Sequence, residues 1–260
     1  MLGRLMKYEF MATGRVFLPL FAALIVISIV NRLLSYLPTS TPSTIGTIVA
    51  VILMVGIGVL TFIITLQRFR SNLLSNEGYL MMTLPVSTDS LILSKLFVAA
   101  IWGVVSFIVV MISIVILASV AISLSDVAMF FRQVFELIST QPLRFIIYAI
   151  EILLIIALAI FSGILMLYAC MALSMLVNRR RGLFTFGAFI VISTVLQIVV
   201  ALIVALVVGL NYSSMYGYFE LSAFGWSQLV IIPAILIEAA TCAVLYFVTR
   251  YMLKNKLNLQ

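Results

Sequence analysis

Three carboxylates, Glu9, Glu77 and Glu238, could carry chemistry or a contact. Glu9 interrupts an apolar helical face made by Leu2, Leu5, Met6 and Phe10, with Arg4 and Lys7 opposite. Glu77 is followed by Gly78 and Tyr79 between apolar runs. Glu238 lies ~18 Å from Arg250 along a helix, inside a block of hydrocarbon-spanning length. A carboxylate at membrane depth takes up a proton, pairs with a base or faces water, and is a functional hypothesis by default. A carboxylate beside an aromatic can anchor a protein contact, and a glycine between them allows close backbone approach. No hydrolytic chemistry suggests itself. The chain has no histidine, which excludes Ser–His catalysis and His-ligated metal sites. No paired-carboxylate motif and no Gly-Lys of a phosphate-cradling loop occurs, so ATP, if used, is bound by another polypeptide. Cys170 and Cys242 have neither metal nor disulfide spacing and read as small buried hydrophobes.

The elements that must position these residues are membrane spans. Of 260 residues, 65% are apolar and 9% charged, against roughly 25% charged in a soluble domain. The net charge of +7 does not point to nucleic acid, because the basic residues sit at span ends and form no basic face. Six spans are expected, at 17–37, 45–66, 96–124, 145–177, 183–210 and 229–251, within one all-α transmembrane domain over residues 1–260. Of the 15 basic residues, Arg32, Arg132 and Arg144 fall on one side and the other twelve on the opposite side. The positive-inside rule then places both termini and the 67–95 connection in the cytoplasm. The N-terminus lacks a cleavage pattern and reads as retained.

Residues 1–16 read as an interfacial helix feeding the first span. Glu9 within it either snorkels to water or makes a buried polar contact to the cytoplasmic loop or a partner. Residues 125–143 begin on a Ser125-Asp126 cap and carry Val127, Phe130, Phe131, Val134, Phe135 and Ile138 at helical spacing, ending at Gln141-Pro142. That predicts an outer-surface amphipathic helix lying in the interface. Residues 211–228 hold six aromatic residues and no basic one; a re-entrant hairpin and an ordinary interfacial loop are both compatible with Gly217 and Gly225.

The 67–95 connection is long for a linker, since most helix connections take ~2–8 residues. It reads as a short helix over 72–84, a corner at Pro85, and a new helix capped by Ser87 or Thr88 with Asp89 in its first turn. Glu77-Gly-Tyr-Leu-Met-Met-Thr-Leu-Pro-Val-Ser, followed by Leu-Ile-Leu-Ser-Lys, resembles the signature of type 2 permease subunits of ABC transporters. So does Leu5-Met-Lys-Tyr-Glu-Phe leading to Arg15-Val-Phe-Leu-Pro. The motif-level likeness covers ~30 residues, while the layout of six spans agrees over the whole chain.

The resemblance implies an exporter's permease subunit without its own ATPase site, in a bacterial plasma membrane. The loop between spans two and three would be the coupling helix, docking on a separate ATPase subunit that carries ATP and Mg. Carried onto this sequence, coupling falls to Asn76, Glu77, Gly78, Tyr79, Leu80, Thr83 and Pro85. A second permease copy or a related permease is implied as a further partner. Within the membrane, Ser193, Gln197, Ala201, Ala205 and Gly209 repeat every four residues in span five, as a packing face or a pathway lining. Thr61 and Thr65 of span two, with Ser193, Gln197 and Glu238, are the candidate substrate pathway. Drug, lipid and peptide all suit apolar walls. Two other readings stay open: an ion-coupled secondary transporter using Glu238, and a non-transporting membrane immunity or scaffold protein. No internal repeat of the kind many secondary transporters show is evident.

Overall fold

The computed structural model describes residues 2–37, 41–74, 87–119, 124–177, 181–215 and 222–255. Among these the regular structure is all helix. The order is α1 (Leu2–Leu34), α2 (Thr41–Leu74), α3 (Thr88–Ala118), α4 (Leu124–Thr140), α5 (Pro142–Ser174), α6 (Arg181–Met215) and α7 (Ala223–Asn255). All but α4 are long and apolar enough to cross a membrane, which marks a multi-pass membrane protein. The shortest of these six has 31 residues, ~47 Å of helix against ~30 Å of hydrocarbon. Each therefore tilts or projects beyond the bilayer.

The extra length revises several expected boundaries. Residues 2–16 are not a separate interfacial helix but the first turns of α1. The reason is packing: Thr13, Gly14, Phe17, Phe21, Leu24, Ser28 and Asn31 form one unbroken buried stripe, so a break near residue 16 would split it. Pro19 lies within α1 but is exposed, off that stripe. The third span ends at Ala118 and not at Leu124. Ser119 closes it, its N–H donating to the Val115 carbonyl at 2.9 Å and its hydroxyl to the Ile116 carbonyl at 2.6 Å. The expected 125–143 helix is α4. Of the 211–228 segment, residues 211–215 prolong α6 and 223–228 begin α7; 216–221 lie outside the described residues.

The chain divides into two compact units, one of Met1–Phe69 and Pro85–Ile146, the other of Arg70–Leu84 and Ile147–Gln260. In the first, α1 and α3 pack along their length. Trp102, 3% exposed, lies at the centre. Its ring stacks on Phe10 at 4.7 Å and Phe17 at 4.9 Å, and Phe21 lies tilted at 6.0 Å. Gly14 makes this possible: a Cβ there would come within 3.3 Å of the indole. Ala50 and Ile57 of α2 complete the core. Polar groups tie α2 to both neighbours. The Asn31 amide donates to the Thr47 hydroxyl at 2.9 Å, and Thr61 and Ser106 hydroxyls bond at 3.1 Å. Gly46 opposes Asn31, since a Cβ there would overlap its amide. The buried Ser28 and Ser113 hydroxyls donate to carbonyls four residues back, which satisfies them without a partner helix.

In the second unit, α5 and α7 are joined near their N-termini. Tyr148 and Ser227 hydroxyls bond at 2.6 Å, and the Gln228 amide donates to Glu151 at 3.2 Å. Glu151 is half-buried and engaged. Further along, the Cys242 thiol points to the Leu158 carbonyl at 3.4 Å.

Candidate functional site

The most organised polar cluster among the described residues lies where α1, α2 and α3 meet. Glu9 accepts from Lys95 Nζ at 2.5 Å through Oε1 and from Arg68 at 3.4 Å through Oε2. The Lys95 side chain is 3% exposed, Glu9 12% and Arg68 33%. One carboxylate is thus divided between two cations, one from each side of the same connection. Arg68 is in the last turns of α2 and Lys95 in the second turn of α3.

Local sequence explains how each arrives there. Ser87 is the N-cap of α3, its hydroxyl accepting from the Ser90 N–H at 3.3 Å, and Asp89 occupies the first turn. This is the expected cap, and it sets the register that turns Lys95 inward with Leu91, Ile92 and Ser94. Glu9 comes from the apolar face of α1, one residue before Phe10 on Trp102. Of its two expected states, snorkelling or a buried polar contact, the structure has the second. A buried lysine without a counter-charge is costly, so Glu9 is what allows Lys95 to be there. The outer pair is partly wet and contributes about 0–1 kcal/mol by the usual behaviour of exposed pairs.

The 67–95 connection changes character accordingly. Residues 67–74 continue α2 and 88–95 begin α3. Asn76, Glu77, Gly78, Tyr79, Leu80, Thr83 and Pro85 lie outside the described residues. The structure thus describes how the connection is rooted.

The other expected site residues fall in both units. Thr61 donates to the Ile57 carbonyl at 2.7 Å besides bonding Ser106, and Thr65 donates to the Thr61 carbonyl at 2.8 Å. Thr61 thus ties α2 to α3 within the first unit, while the Thr65 hydroxyl bonds within its own helix. On α6, Ser193 donates to the Ile190 carbonyl at 2.9 Å, while Gln197 is exposed. Glu238 has a buried Oε2 that no described residue hydrogen-bonds. Pro233, one turn and a half earlier in α7, leaves the Leu229 carbonyl without its helical donor. Among the described residues no group of three acidic, cysteine or histidine side chains could hold a metal.

Sequence reasoning did not find Arg68 and Lys95 as partners of Glu9, because they lie 59 and 86 positions away. The one available signal was Glu9 itself, a charge on the wrong face of its helix. Trp102 left no signal beyond its size. Comparison with protein-family profiles, with curated proteins and with solved structures finds no match to this chain.

Proposed function

We propose that this chain is the membrane-spanning permease subunit of an ABC-type exporter. It would sit in a bacterial plasma membrane with both termini in the cytoplasm. Its substrate would be hydrophobic or amphipathic, of the drug, lipid or peptide classes. A separate ATPase subunit would carry ATP and Mg, and a second permease copy or related permease would complete the pathway. The observation that carries the reading is the division of Glu9 between Arg68 and Lys95. It binds both flanks of the 75–86 stretch to α1, as a segment that receives force from outside requires. The motif resemblance around Glu77 supports the same assignment.

In this reading, ATPase closure displaces the segment from Asn76 to Pro85. Because both flanks are held by one carboxylate, α2 and α3 move together and draw α1 with them. The experiment is direct. Glu77→Arg with Tyr79→Ala should abolish co-purification of the ATPase and ATP-driven transport. Retention of both overturns the assignment.

Glu238 favours a second reading, because a buried carboxylate oxygen without a partner among the described residues is suited to bind a proton or cation. An ion-coupled transporter would work in vesicles without ATP, would stop when the proton gradient is collapsed, and would be silenced by Glu238→Gln.

A further inference from the structure

The clearest unpartnered surface belongs to α4. On one side of this helix stand Val127, Phe130, Phe131 and Phe135, exposed by 41%, 61%, 64% and 71%. Asp126, Arg132 and Glu136 stand on the other and are exposed as well. The helix is 17 residues long, ~25 Å, too short to cross the hydrocarbon. It is also tethered at both ends. Only residues 119–123 separate it from α3, and only Gln141 from α5, each long and apolar enough to span. Such a helix is held close to the ends of two spans. It lies where α3 ends, on the opposite face of the membrane from the 75–86 stretch.

We propose that α4 is a lipid-binding helix. Its phenylalanine face is seated in the headgroup–acyl boundary of the leaflet opposite the 75–86 stretch, and its charged face is toward water. Three observations commit this face to lipid. The tethers hold it to the ends of two membrane-spanning helices. Its apolar side is aromatic, as suits a boundary helix that lies ~5–10 Å deep. Its length matches in-plane placement. Its charge further selects the kind of lipid: two acids against one arginine give no electrostatic pull toward anionic headgroups. Seating is therefore driven by apolar burial and is satisfied by zwitterionic lipid.

The test uses the full chain in phosphatidylcholine nanodiscs containing acyl-brominated lipid, which quenches nearby indoles. Phe131→Trp and Phe135→Trp should each lose most of the emission they add to that of the unsubstituted chain. Gln133→Trp, toward the charged side, should keep it. Adding phosphatidylglycerol should leave this pattern unchanged. Three results would overturn the proposal. Emission of the two Phe-face variants that survives bromolipid but is quenched by aqueous acrylamide would place the face in water. Emission that resists both quenchers would mean that protein, such as a second copy, covers it. Bromolipid quenching that appears only with phosphatidylglycerol would make the seating electrostatic.

Discussion

The apolar windows of α1 and α3 are each 28% buried within the chain, while those of α5, α6 and α7 are 6%, 0% and 6%. Both groups are equally apolar by composition, so hydrophobicity does not separate them. Lipid is as good a solvent for Leu and Val as another helix is, and what draws spans together is close fit and polar contact. The first unit has both: Gly14 under Trp102, Gly46 under Asn31, and Glu9 between two cations. The second unit has polar rungs at one end of α5 and α7 and a sixth helix, α6, whose window buries no residue. The comparison teaches that close fit and polar contact among the described residues are concentrated in the first unit, along the length of α1. The surfaces of α6 await lipid or another chain.

The contrast can be broken by mutation, beginning with the largest effect. Glu9→Gln leaves Lys95 buried without its counter-charge and should cost about 3–5 kcal/mol, read as a fall in thermal unfolding midpoint in detergent. A midpoint shift no larger than that of Arg68→Ala would remove the first unit's claim to be ordered by that carboxylate. Gly14→Val drives a branched side chain into the indole and should cost about 1–3 kcal/mol. The accompanying readout is Trp102 fluorescence, which should change with the stacking geometry. Tyr148→Phe removes one rung of the second unit and should cost about 1 kcal/mol. An effect as large as that of Glu9→Gln would make the two units equals. At the foot of the scale, Val195→Ala on the exposed surface of α6 should stay within about 0.5 kcal/mol, and a larger loss would show that a protein surface covers it.

Much of the architecture is legible in the sequence, for identifiable reasons. Apolar blocks and caps are local signals, so the spans, α4 and the Ser87 cap can be read directly. Helix ends are less so. Charges such as Arg4, Lys7, Arg68 and Lys95 mark where a membrane stops, yet α1, α2 and α3 run on through them. A charge boundary reports on solvent, whereas a helix boundary reports on backbone hydrogen bonds, and here the two differ by up to about two turns. The Glu9 cluster is a tertiary fact joining three helices. Sequence could flag the misplaced carboxylate but not its partners. Thr61 is another hydroxyl whose partner is a tertiary fact: its bond to Ser106 ties α2 to α3.

The unbroken course of α1 has a mechanical consequence. It is a continuous helix, with Pro19 within it, held toward its N-terminus by Glu9 and toward its C-terminus by the 2.9 Å Asn31–Thr47 bond. A tilt of about 5° about Gly14 would carry Asn31, ~25 Å further along the axis, through ~2 Å. That hydrogen bond cannot stretch so far, so either it breaks or α2 swings with α1. A torque applied near Glu9 would therefore reach the far end of α1 either as a broken Asn31–Thr47 bond or as a joint displacement of α1 and α2.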